Sequence, residues 1–330
     1  MSRFGAAIFG CEGLRLTADE KRFFADASPF GFILFARNVD NADQIRSLTG
    51  ELRDCVGWNV PVFIDQEGGR VQRLRAPLAS EWLPPLDDVI RFGDRAPEAM
   101  RLRYHIIGHE LRSFGIDGNC APMLDVARPN THKFLRNRCY GSDLQTVTKI
   151  GQAVAQGHLD AGVLPVMKHL PGHGLAQLDS HLDLPRIAAD RGALDAVDFA
   201  AFKPFSDLPL GMTAHLVFEK IDPQPATTSS KMIDVIRTDL GFEGFLMTDD
   251  ISMEALSGSI EDRSSASIAA GCDAVLHCNG KLAEMQAIME KVGAMTPQAQ
   301  TRADQALTAR QVPLDVDIKA LHAEFEALIP

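Results

Sequence analysis

The chain has 330 residues, 45% of them hydrophobic and 23% charged, enough to bury a full core in one large domain or two ordinary ones. Its formal net charge of −11 opposes a polyanionic partner, so no nucleic-acid binding is expected. No apolar run approaches the ~20 residues of a membrane-spanning helix, and no membrane insertion is expected.

The first apolar run, Ala6–Phe9, reads as a core strand. Together with Gly10-Cys11 it is shorter than the roughly 7–15 apolar residues of an export signal, and Glu12 follows at once. Thr17 with Glu20 then fits a capping box, as does Ser142 with Gln145 further on. Short apolar runs recur at Gly31–Phe35, Val60–Ile64, Gly118–Met123, Val163–Met167, Gly211–Ala214, Gly244–Met247 and Ala274–His277. Runs of this kind suit parallel strands covered on both faces. Between them, Arg101–Phe114 and Thr146–Ala161 carry apolar residues at helical spacing, and Gly115, Gly162, Gly241 and Gly271 stand where helices end. Eight strands, each followed by a helix, predict an α/β fold of the (β/α)8 TIM-type barrel, which needs ~250 residues. The surplus fits insertions at Gln72–Pro97 and Pro129–Gly141 and helices from about residue 297 onward.

With no Pro/Ser-rich linker, short repeat or low-complexity tract, residues 1–330 read as a single domain. The rival layout is an open doubly wound sheet, whose first strand usually leads into a glycine-rich phosphate turn; Gly10-Cys11-Glu12-Gly13 is a poor version of one. Cys11, Cys55, Cys120, Cys139, Cys272 and Cys278 are scattered without a C-x-x-C pair. They read as small buried hydrophobes in a reducing compartment, which places the protein in the cytoplasm.

Barrels place their chemistry at the C-terminal ends of the strands. Those ends carry Asp65, Asp125, Lys168-His169, His215, Asp249-Asp250 and His277, predicted to converge on one pocket, although any one alone also fits a strand-end cap. In Lys168-His169-Leu170-Pro171-Gly172-His173-Gly174, two glycines and a proline hold an irregular loop. Lys168 and His169 can donate to hydroxyls there. Asp179 and His181 flank Ser180; a carboxylate beside an imidazole raises its pKa toward that of a working general acid. The same spacing serves a loop-stapling pair equally well. Asp65, with Arg73 in the loop beyond it, can hold two adjacent sugar hydroxyls or form a strand-end salt bridge. Asp249 is placed as a nucleophile or as a stabiliser of an oxocarbenium ion.

Four segments together resemble family 3 glycoside hydrolases, and among them the bacterial β-N-acetylhexosaminidases. They are Asp65-Gln66-Glu67-Gly68-Gly69-Arg70-Val71-Gln72-Arg73, Lys168-His169-x-Pro-Gly-His-Gly, Asp179-Ser180-His181 and Thr248-Asp249-Asp250-x-Ser-Met, in an order and approximate spacing that agree from Gly31 to about Gly280. The resemblance implies Asp249 as nucleophile, His181 as general acid/base oriented by Asp179, and sugar-binding roles for Asp65, Arg73, Arg138, Lys168 and His169. It implies no metal and no organic cofactor. Leu170, Arg138-Cys139-Tyr140-Gly141 and Thr248 depart from the commoner family residues, which bears on subsite detail rather than on a catalytic group. The glucosidase branches usually carry a second α/β domain for which this chain has no room.

The implied reaction is retaining hydrolysis of terminal non-reducing β-linked N-acetylglucosamine. The implied partners are N-acetylglucosamine-containing saccharides or muropeptides, including anhydromuramyl saccharides, in cytoplasmic peptidoglycan recycling. Three other readings stand beside it. One is substrate-assisted hydrolysis with Asp249-Asp250 stabilising an oxazolinium ion. Another is a metal-dependent barrel hydrolase using His169, His173, Asp179, His181 or His215. The third is a non-catalytic sugar-binding protein.

Overall fold

A computed structural model describes residues 4–178 and 184–329. Eight strands, all paired in parallel, close into a barrel in sequence order. They are Gly5–Gly10, Pro29–Leu34, Val62–Ile64, Gly118–Asn119, Leu164–Leu170, Leu210–Thr213, Phe245–Asp250 and Ala274–His277. The eighth returns to the first, with Ala7 opposite Val275, so the sheet has no open edge there and the doubly wound layout does not apply.

Alternation along the strands sorts the side chains. Ala6, Ile8, Ile33, Phe63, Leu164, Val166, Leu210, Met212, Met247 and Leu276 fill the barrel, while Ala7, Phe9, Phe32, Val62 and Ile64 pack outward against the helices. Phe63 takes up the space that its neighbours leave: a Cβ on Gly118 would stand 2.2 Å from its ring, and one on Gly31 2.7 Å. The helix Pro297–Thr308 belongs to the same core through Ala299, Ala303 and Ala306, at helical spacing. Asp117 and Asp273, which accept the backbone N–H groups of Val62 and Leu246, receive Arg310 at 3.2 Å and Arg302 at 3.1 Å.

Three strands differ from expectation in ways that shape the site. Strand four is regular only over Gly118–Asn119, because Pro122 has no N–H to give and the ladder resumes as a single bridge from Met123 to Lys168. Strands five and seven run on through Lys168-His169 and Asp249-Asp250, so these residues lie within the strands rather than beyond them. Both ladders break register there, between Met167 and Leu170 and between Met247 and Asp250.

The Thr17–Glu20 capping box is present. The second is not: the cap of the helix Leu144–Asp160 is Asp143, whose carboxylate accepts the Thr146 N–H at 2.8 Å. Gly115, Gly162, Gly241 and Gly271 all have positive φ. All six cysteines are free thiols, Cys55 half-buried and the others buried. Among the described residues, no helix is long and apolar enough to cross a membrane.

Candidate active site

Beyond strand three the chain folds into a small hairpin, Gln66–Gly68 against Val71–Gln72, that the sequence did not signal. Gly68 and Gly69 turn it at φ 107° and 57°. Gly68 also admits a buried cation: a Cβ there would stand 1.9 Å from Arg103 Nη2. Arg103, ion-paired with Asp88, donates to the carbonyls of Glu67 and Leu83, and the Tyr104 hydroxyl donates to the same Glu67 carbonyl at 3.1 Å. Behind the hairpin, Asn119 exchanges two hydrogen bonds with the Gln66 backbone.

Glu67 is thereby fixed, and its carboxylate organises one wall. Arg138 donates to it from Nε at 2.9 Å and from Nη2 at 2.8 Å, a bidentate pair, and Lys168 Nζ lies 2.7 Å away. Lys168 also donates to Asp65 Oδ1 at 2.9 Å, and Arg73 to Asp65 Oδ2 at 3.0 Å. Burial alone would raise both carboxyls. Lys168 and Arg73 nevertheless hold Asp65 well below the usual range, and Arg138 and Lys168 bring Glu67 down to about 2. Burial would likewise lower Lys168 and Arg138, but their carboxylate partners raise them. At neutral pH this is a fully ionised chain of three cations and two anions, with Asp65 and Arg73 open to the cavity.

Asp249 faces it from strand seven. Burial would raise its carboxyl; the field of His169 and the N–H of Asp250, 2.8 Å from Oδ1, take it below the usual value instead. The lowered pKa keeps the carboxylate ionised at neutral pH, and among the described residues it has no ion-pair partner. Asp250 is committed: it accepts from Ser252 N and Oγ and from Cys278 N. Thr248 Oγ1 accepts from Leu276 N at 2.9 Å, holding strands seven and eight together where their register slips. His215, kept below its ordinary pKa by burial, lies 3.0 Å from the Asp250 carbonyl through Nε2 and 2.8 Å from Thr227 Oγ1 through Nδ1. As a neutral ring it donates to the first and accepts from the second.

These walls enclose a cavity of about 320 Å³. Asp65, Arg73, Arg138, Lys168, His169 and Asp249 all line it, so six of the eight expected site residues meet there. The other two, Asp179 and His181, lie outside the described residues. The expected convergence of strand ends is corrected at three positions. His277 points away, to Glu284 at 2.8 Å, because Leu276 takes the inward position of strand eight and alternation sends its neighbour outward. Asp125 and His215 stand behind the lining rather than in it.

The mouth was not foreseen. Phe35 lies under Arg37 and Arg73, each 5.2 Å from its ring centre, and Phe134 lies under Arg70 at 4.1 Å and Arg138 at 5.5 Å. Phe134 sits in the 129–141 insertion, where, outside the Arg138–Gly141 segment, no periodicity or motif marks a residue. Among the described residues, no group of three or more His, Cys, Asp or Glu side chains converges to hold a metal.

An ionised wall that can grip hydroxyls, opposite a carboxylate with no ion-pair partner among the described residues at the C-terminal end of a barrel, is the kind of site a carbohydrate-processing enzyme needs. The chain matches the family "Glycosyl hydrolase family 3 N terminal domain" over residues 10–309. It is 37% identical to a beta-hexosaminidase of Alkalilimnicola ehrlichii over 284 residues, 83% of this chain and 81% of that one. A beta-hexosaminidase of Idiomarina loihiensis is 31% identical over 304 residues, 89% of this chain and 90% of that one. Among solved structures, NagZ from Neisseria gonorrhoeae in complex with N-trifluoroacetyl-D-glucosamine superposes with a TM-score of 0.88 at 27% identity, covering 99% of this chain and 98% of that one. A family 3 beta-N-acetylglucosaminidase from Paenibacillus does so at 0.87 and 27%, covering 98% of this chain and 67% of that one. The chain belongs to glycosyl hydrolase family 3, on the branch of the bacterial β-N-acetylhexosaminidases.

Proposed function

We propose that the enzyme removes terminal non-reducing β-linked N-acetylglucosamine with retention, from anhydromuramyl saccharides or muropeptides released in peptidoglycan recycling, in the cytoplasm. The observation that carries the reading is the pairing of the ionised Asp65–Lys168–Glu67–Arg138 wall with Asp249, ionised and without an ion-pair partner among the described residues, across one small cavity. The wall suits a ring with adjacent hydroxyls; the lone carboxylate suits an anomeric carbon.

The proposed steps join the placement of Asp249 to the acid/base role that the family resemblance implies for His181. Asp249 attacks the anomeric carbon as the glycosidic C–O bond breaks, and His181, protonated and oriented by Asp179, gives its proton to the leaving oxygen. Water then attacks the glycosyl ester, His181 takes a proton back, and Asp249 leaves as a carboxylate. Asp65, Arg73, Arg138, Lys168 and His169 bind the sugar throughout. No step needs a metal or organic cofactor. The test is release of nitrophenol from the β-N-acetylglucosaminide and the β-glucoside, each with and without chelator. Chelator-resistant preference for the N-acetylglucosaminide supports the reading; preference for the glucoside, or loss on chelation with recovery on zinc, overturns it.

A further inference from the structure

Asp125 follows the irregular end of strand four and is 1% exposed, behind the cavity wall. Its two oxygens serve two partners: Oδ2 lies 2.7 Å from His169 Nδ1, and Oδ1 accepts the His173 backbone N–H at 2.6 Å. Burial would raise this carboxyl, but the His169 field and both hydrogen bonds lower it, so it stays ionised and can only accept. An acceptor-only partner settles the His169 tautomer, since Nδ1 must carry the hydrogen. The ring lines the cavity, and Nε2 has no hydrogen-bond partner among the described residues, which leaves it for a ligand.

We propose that Asp125 is a positioning residue for the hydrolytic reaction. It fixes the plane and tautomer of His169 so that Nε2 meets a hydroxyl of the bound sugar, and its second oxygen ties the chain at His173 to the same point. This rests on the reading above that His169 binds the sugar. A carboxylate that merely stapled the loop would leave His169 out of the account, and the two roles separate in a double-mutant cycle.

The experiment compares kcat and KM on the nitrophenyl N-acetylglucosaminide for wild type, Asp125→Ala, His169→Ala and the double variant. Asp125→Ala is expected to lose roughly 10- to 100-fold in kcat/KM, the range for a hydrogen bond to a charged group. The loss should divide between kcat and KM as it does in His169→Ala, and the double variant should be no worse than His169→Ala. Losses that multiply overturn this proposal alone. An undiminished His169→Ala enzyme overturns the sugar-binding reading and this proposal with it. If Asp125→Ala does not fold, Asp125→Asn keeps the shape and one acceptor, and imidazole ¹⁵N spectra give the answer. The wild type is expected to show His169 protonated at Nδ1, and Asp125→Asn to lose that signature. An unchanged spectrum overturns the proposal.

Discussion

Glu67 holds two cations in place without lining the cavity itself. Replacing it by glutamine leaves Arg138 and Lys168 buried with a surplus of positive charge. Breaking such a pair from one side costs about 3–5 kcal/mol. Glu67→Gln is therefore expected to lower the urea midpoint and activity together; an unchanged midpoint with full activity would show that Glu67 organises nothing. Asp249→Ala is expected to abolish turnover while the fold survives, and a fluorinated slow substrate to label Asp249 in the wild type. Label on any other residue rejects the assignment. His181→Ala is expected to spare the first step for an activated phenol but to slow an unactivated sugar leaving group by roughly 10²–10⁴-fold. Azide should rescue the second step and yield a β-glycosyl azide; equal slowing of both substrates without rescue removes His181 from the acid/base role. Asp65, Lys168, His169 and Asp249 are legible in the sequence because each ends an apolar run that marks a strand. Arg138 is legible only through resemblance, and the Glu67–Arg138 pair spans 71 residues with no local signal.

Among the elements, strand four is short, irregular and tightly packed against Phe63 of strand three. Its Gly118 faces the Phe63 ring with no room for a methyl group. Gly118→Ala is expected to cost about 1–3 kcal/mol through overpacking, read as a lowered urea midpoint. A neutral result would mean that Phe63 can leave the barrel centre. The sequence shows the apolar run from Gly118 to Met123, but not that Pro122 interrupts its ladder, since that depends on which neighbour asks for an N–H. The helix starting at Leu144 teaches the same lesson. Ser142 and Asp143 are adjacent cap formers, and only backbone geometry chooses between them. Asp143→Ala is expected to cost about 1 kcal/mol, whereas Ser142→Ala should stay within about 0.5 kcal/mol. The reverse order in thermal unfolding would reassign the cap.

On the scale of the whole molecule, the barrel keeps several imidazoles neutral. Burial lowers His105, His158, His173 and His215, taking His158 to about 3 and, with the field of His169 added, His173 to about 4. In the unfolded chain such groups take up protons near pH 6.5. Their folded pKa lies below the unfolded one, so stability is greatest above that pH and falls as the unfolded state binds protons that the fold refuses. The window for His173 runs from about pH 6.5 down to about 4, and for His158 to about 3. Glu67, depressed from 4.5 to about 2, extends the loss in the same direction at lower pH. Each such histidine contributes a slope of at most ~1.4 kcal/mol per pH unit. A fold held by carboxylates alone would keep its stability down to about pH 5. Here the urea midpoint is expected to fall already between about pH 6.5 and 5. His158 gives a way to isolate one contribution, because its Nε2 accepts from Asn119 Nδ2 at 2.9 Å, directly behind the Gln66 backbone. His158→Gln keeps an acceptor for Asn119 but cannot titrate. Whatever its absolute stability, the variant should show a shallower decline over that interval than the wild type. A wild-type midpoint equal at about pH 7 and about pH 5 would mean that the buried imidazoles take up protons without opening the fold.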